Sequence, residues 1–272
     1  MKAFRPVLFL AVVMLLVGLA CSAVSGGGDT PSQPATQEPV EQPPVNNPPT
    51  TAPEPTTVPP TEAPPPTEAA TEAAPEAQDF FTEEFETPLS DNWSTFTVTG
   101  SDEADPDKVT VEAQNGNLVW DFDSERVYYY LFYNAYEYED VQIDVRADNR
   151  GRNNNSISLI CRYEPNVGWY EFNIANNGLY EILYADLTDS SNIGYENITN
   201  GGSNAIKQGK EVNEYSISCN GDKLTLTING DEVKSITEKR FGLRKGMAGV
   251  SVSSFDVLPI LIEMDWIKIS LP

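Results

Sequence analysis

The sequence predicts an all-β domain, an antiparallel two-sheet sandwich of jelly-roll type, lying behind an apolar leader and a proline-rich tether. Three observations point to it. Apolar residues alternate with polar ones in short runs, Asn-Gly pairs fall between such runs, and helical spacing is not sustained anywhere. The alternation is clearest in Leu118, Trp120 and Phe122, in Val141, Ile143 and Val145, and in Leu224, Leu226 and Ile228. Further runs lie near 80–85, 127–131, 157–163, 169–174, 179–184, 214–219, 232–236, 248–252 and 260–269. Asn115-Gly116, Asn177-Gly178, Asn220-Gly221 and Asn229-Gly230 supply the positive φ angles of tight hairpins. Roughly a dozen hairpin-linked strands favour a sandwich over a doubly wound α/β fold, with a closed barrel as the open alternative.

The chain divides into three segments. Residues 1–20 read as a secretory signal, because Lys2 and Arg5 precede an uncharged apolar run at 7–19 that is too short to span a bilayer as a permanent helix. The run ends in Val17-Gly18-Leu19-Ala20-Cys21, which resembles the bacterial lipoprotein signal box, although Gly18 stands where leucine is usual. That resemblance implies lipid on Cys21 and a membrane partner, with the domain held outside the cytoplasm in a bacterial cell envelope. A plain signal peptide with an incidental Cys21 is the competing reading. Residues 21–78 carry 15 Pro and 9 Thr and no aromatic residue, so they are expected to form an extended, disordered tether. Residues 79–272 hold all 4 Trp and all 12 Tyr and are long enough for one well-buried core.

Charge and composition remove several classes. With 41 Asp+Glu against 17 Lys+Arg, the net charge of −24 repels phosphate backbones, and no nucleic-acid partner is expected. The absence of histidine excludes Ser/His/Asp and Cys/His catalysis and histidine-ligated metals. Cys161 and Cys219 fall at or near the ends of two predicted strands, and in an exported chain they are expected to pair.

The stretches 157–163, 168–172 and 177–182, the segment 219–230, the closing 264–269 and the opening 79–85 with Asn92-Trp93 together resemble the concanavalin A-like lectin/glucanase sandwich. The group containing LamG-like and 3-keto-disaccharide-hydrolase-like domains is the most similar. The resemblance implies a jelly roll with one concave sheet, used to bind glycans and sometimes to cleave them.

Candidate chemistry is thin. Glu263-Met264-Asp265 resembles the start of the glucanase trio Glu-x-Asp-x-x-Glu, but Lys268 stands where the second glutamate is required, and no cleavage is expected from it. Glu171 and Glu181, adjacent in a predicted hairpin, form a scattered pair that reads first as surface acids. A binding face is easier to argue. Alternation sets Trp169 with Glu171 and Asn173 on the polar side of their strand, where an indole ring can stack on a pyranose and polar neighbours can bond its hydroxyls. Arg162 joins that face with Ser156 and Ser158 by the same alternation. The dense aromatic run from Tyr128 to Tyr138 must send some rings outward. Asp102, Asp105 and Asp107, or Asp144 and Asp148 with Asn149, offer oxygen ligands for a structural calcium ion, yet no spacing matches a calcium loop. No cofactor is expected. The expected function is a non-catalytic module for oligosaccharide or polysaccharide, with a glycosidase-like hydrolase or a structural envelope component as alternatives.

Overall fold

The computed structural model describes residues 77–189 and 193–272. The leader, Cys21 and the tether through residue 76 lie outside the described residues. Fifteen strands run in chain order among those described. The first eight are β1 (Phe81–Glu83), β2 (Trp93–Thr99), β3 (Val109–Gln114), β4 (Asn117–Phe122), β5 (Val127–Tyr138), β6 (Val141–Asn149), β7 (Asn155–Glu164) and β8 (Gly168–Ala175). The rest are β9 (Leu179–Asp186), β10 (Gly194–Gly202), β11 (Val212–Asn220), β12 (Lys223–Ile228), β13 (Asp231–Thr237), β14 (Gly246–Ser254) and β15 (Ile260–Ser270).

They form two separate antiparallel sheets, so the architecture is a sandwich and not a closed barrel. The first sheet runs β13-β12-β11-β6-β15-β4-β3, with β1 also paired to β15; the second runs β10-β9-β8-β7-β14-β5-β2. Strand alternation builds the core between them. Leu118, Trp120 and Phe122 from β4 and Val141, Ile143 and Val145 from β6 are fully buried in the same cluster as Ile157 and Leu159 of β7 and Phe172 and Ile174 of β8. Cys161 of β7 and Cys219 of β11 are joined by a disulfide that ties one sheet to the other. In the loop-entropy picture, closing 58 residues of chain contributes about 4 kcal/mol.

The turn residues divide into two kinds. Asn115-Gly116 and Asn229-Gly230 both take positive φ, the requirement of a two-residue type I′ hairpin. At Asn220-Gly221 only the glycine does, because the turn is displaced by one residue and Gly221-Asp222 occupies its centre between the Asn220 and Lys223 pair. Asn177 likewise has negative φ beside Gly178.

Two of the seven aromatic residues on β5, Tyr133 and Tyr138, are spent on the entry to the domain. The Tyr133 hydroxyl donates to the Gln78 carbonyl at 2.7 Å, Tyr138 donates to the Asp79 carbonyl at 2.7 Å, and the rings of Phe81, Trp93 and Tyr133 pack together. Three of the five acids considered for calcium have other partners: Asp105 caps the 3-10 turn at Pro106–Lys108, Asp148 pairs with Arg150, and Asp144 accepts from Gln142.

Candidate functional site

The candidate site is built on the outward face of the second sheet, where strand registers align side chains in rows. One row crosses Tyr130, Ser251, Ser158, Asn173, Glu181 and Asn200 on six successive strands. The next crosses Phe132, Gly249, Ile160, Glu171 and Leu183. The central strands β14 and β7 carry mostly small residues on this face, while β5 and β8 carry large ones. Large rings therefore lie inward over small neighbours. A Cβ on Gly249 would come within 2.5 Å of the Phe132 ring, so glycine is what lets that ring lie across the strand.

The result is a second hydrophobic cluster outside the sandwich core, made of Tyr130, Phe132, Ile160, Trp169 and Ala185 with Phe96, Val98, Tyr128, Tyr163, Leu187 and Ile193 packed against it. Trp169 lies on the predicted face but is 0% exposed. Phe96, Tyr130, Phe132, Tyr163 and Tyr195 surround it with ring centroids 5.3–6.4 Å away. The stacking role expected for this ring is thereby corrected. Its indole is packing, with no free face to offer a sugar.

Arg162 requires a second correction. It takes a left-handed φ of 57° at a β-bulge, so strict alternation breaks and Tyr163 assumes the outward position. The Arg162 guanidinium is buried away from Ser156 and Ser158, donating to the carbonyls of Glu139 and Leu243 at 2.9–3.1 Å and lying 3.6 Å from Asp140. It ties two loops together.

Glu171 sits at the edge of the aromatic cluster, 3% exposed. Its Oε1 accepts from the Ser158 hydroxyl at 2.7 Å, and its Oε2 accepts from Trp169 Nε1 at 3.0 Å and the Tyr130 hydroxyl at 3.3 Å. Burial pushes this carboxyl above the ordinary glutamate range, while hydrogen bonds from Trp169, Ser158, Asn173 and Tyr130 pull it back down. Tyr130 is raised well above the usual phenol value, first by burial and then by the nearby Glu171 and Tyr195. The Tyr130 and Tyr195 hydroxyls are 2.9 Å apart, and Tyr195 reaches solvent.

Beside this network, at the β8–β10 side, lies an open cleft of about 470 Å³ lined by Asn173, Ala175, Asn177, Leu179, Glu181, Asn200 and Phe255. Asn173 and Glu181 stand directly opposite on adjacent strands. Leu179 is 54% exposed at the cleft wall, an apolar surface next to amide and acid groups. Of the residues expected on the binding face, Asn173 and Glu181 thus meet in one open site, Glu171 is buried beside it, and Trp169 and Arg162 are elsewhere. Asn200, Leu179 and Phe255 were not anticipated. β10 carries no apolar alternation to reveal Asn200, and Phe255 follows the end of β14.

A second hollow of about 460 Å³ opens against the aromatic cluster, lined by Phe96, Val98, Tyr163, Pro165, Leu187 and Ile193. Glu263 and Asp265 belong to the other sheet and are paired with Arg150 and Arg146. Among the described residues, no group of three or more Cys, Asp or Glu side chains is arranged to hold a metal ion.

Comparison with known proteins agrees with the fold. The family described as 3-keto-alpha-glucoside-1,2-lyase-like domain matches residues 82–263. No curated protein sequence matches the chain. Among solved structures, a Bacteroides ovatus GH16 enzyme from a mixed-linkage glucan utilisation locus, in complex with an oligosaccharide product, aligns with a TM-score of 0.51 at 11% identity, over 70% of this chain and 99% of that one. A structure described under endo-acting O-glycanases of prominent human gut microbiota members aligns with a TM-score of 0.50 at 10% identity, over 71% and 98%. At these identities the likeness establishes the concanavalin A-like jelly-roll fold.

Proposed function

Because the chain belongs to the family of 3-keto-alpha-glucoside-1,2-lyase-like domains, we propose that it is a glycan-binding module whose ligand lies in the cleft between Asn173 and Glu181. The observation that carries this reading is the cleft itself: paired polar groups at its floor and apolar side chains at its wall match the two surfaces of a pyranose. Hydrolysis of a glycosidic bond takes two carboxyl groups. Among the described residues, Glu181 is the single carboxyl that lines the cleft, and Glu171 is buried beside it in the neighbouring row. Binding without cleavage is therefore the better fit.

The anchoring follows from the amino-terminal segment. Lipid on Cys21 would hold the protein to the membrane of a bacterial envelope, and residues 22–78 would carry the domain outward. Cys21→Ser is expected to release the protein from the membrane fraction; retention there would contradict the anchor.

Titration of the protein with a mixed-linkage gluco-oligosaccharide tests the binding reading. Asn173→Ala is expected to weaken binding by about tenfold, the value of one to two hydrogen bonds. Absence of binding by the unaltered protein across neutral polysaccharides would overturn it.

A second reading is favoured by the family match. A lyase acting on a 3-keto-α-glucoside would remove the proton beside the ketone, and such an elimination needs one base in place of two carboxyls. Glu181, the carboxyl that lines the cleft, would serve as that base. Release of the leaving sugar from a 3-keto-disaccharide, lost in Glu181→Gln, would favour this reading over simple binding.

A further inference from the structure

The hydrogen bonds beside the cleft have a direction, and Glu171 sets it. The Trp169 indole N–H can only donate, and it does so to Oε2 of Glu171. Ser158 spends its single hydroxyl hydrogen on Oε1 of the same carboxyl, at 2.7 Å. The Ser158 oxygen is then left to accept, and Asn173 Nδ2 lies 2.9 Å from it. The second hydrogen of that amide goes to Ser156 Oγ at 3.0 Å. Both Asn173 N–H groups are thus engaged on the side of Ser156, Ser158 and Glu171, so the group this residue has left for the cleft is its carbonyl oxygen.

Directly across the strand pair stands Glu181, whose carboxylate accepts only. Two acceptors therefore sit side by side on neighbouring strands, with side-chain roots about 5 Å apart, a spacing that two adjacent sugar hydroxyls can bridge. No Lys or Arg lines the cleft among the described residues. Leu179 and Phe255 add apolar surface for the C–H face of a ring.

We propose that Glu171 acts as a positioning residue which, through Ser158 and Asn173, gives the cleft an acceptor floor, and that the cleft accordingly selects uncharged, hydroxyl-donating sugars and rejects anionic ones such as uronates. The inference rests on the glycan reading above and adds the chemical class of the ligand and the residue that dictates it. A sugar carboxylate entering this site meets like charge at Glu181, lacks a hydrogen to give Asn173, and finds no cation in compensation.

The test is calorimetric titration of the full chain with laminaritetraose and with the same tetrasaccharide oxidised to carboxylate at C6. The neutral sugar is expected to bind at least about tenfold more tightly, the scale of one uncompensated like-charge or unpaired polar contact. Glu181→Gln, on an exposed side chain, is expected to narrow that ratio. Glu171→Gln and Ser158→Ala are expected to narrow it too, because either change frees the Asn173 amide to turn and present N–H. A purely structural role would lower the melting temperature without moving the ratio. Should Glu171→Gln fail to fold, Ser158→Ala and Glu181→Gln carry the test alone. Equal or tighter binding of the oxidised sugar overturns this inference and leaves the glycan reading standing, whereas no binding of either sugar overturns both. A ratio unchanged in Glu171→Gln and Ser158→Ala overturns the relay.

Discussion

The outward faces of the two sheets obey the same alternation and meet opposite fates. On the first sheet the outward residues remain in water and pair by charge: Arg146 with Glu214 and Asp265, Arg150 with Asp148 and Glu263. On the second sheet they turn inward over small neighbours on β14 and β7, burying Trp169, Glu171, Ser158 and Ser251 almost completely. An open cleft survives where the aromatic cluster ends. The difference teaches that side-chain size on the central strands, and not polarity on the face, decides whether an outward residue stays available to a ligand.

Several substitutions sharpen that contrast. Trp169→Ala is expected to cost about 3–5 kcal/mol in denaturant unfolding, as removal of a fully enclosed aromatic ring does, although the residue is formally on an outer face. A loss below 1 kcal/mol would mean the cluster is not a true second core. Glu171→Ala strands the donors of Trp169 and Ser158 and is expected to cost about 1–3 kcal/mol.

The pH dependence of Glu171 has a definite sign. Its folded-state carboxyl titrates above the ordinary value of 4.5, so the protonated form is favoured by folding. Its contribution to stability is complete below about pH 4.5 and is lost as pH rises through the elevated folded value. Subtracting the unfolding profile of Glu171→Gln from that of the unaltered protein should leave a difference that declines over this interval. A difference that grows with pH would reverse the account of the site.

Arg146→Ala on the other sheet marks the small end of the scale. Its pairs are solvated, and removal is expected to cost less than about 1 kcal/mol. A loss comparable to that of Trp169→Ala would erase the distinction between the two faces.

Much of this fold was legible in the sequence because burial on one side leaves a period of two. Leu118, Trp120 and Phe122 could only be read as one face of a strand, and the structure sets all three in the core. β10 was not legible. It is an edge strand of mostly exposed Tyr, Glu, Asn and Gly, without an apolar side to betray it. β2 and β3 were no more legible, and each closes an edge of its sheet.

The site was legible by side and not by depth. Alternation set Trp169, Glu171 and Asn173 on one face correctly, but what covers a face depends on rings contributed by β5 and β2, far away in sequence. Arg162 was misdirected because a single left-handed residue reverses the alternation after it, and nothing in the residue type announces that bulge. Phe255 belongs to no strand, so no pattern could bring it to the cleft.

The most direct test is a crystal structure of the protein soaked with a neutral gluco-oligosaccharide. The account predicts sugar between Asn173, Glu181, Leu179 and Phe255, with adjacent hydroxyls donating to the Asn173 and Glu181 oxygens and the Trp169 ring still covered. Sugar seated on the first sheet, or stacked on Trp169 after displacement of Tyr130 and Tyr195, would contradict it.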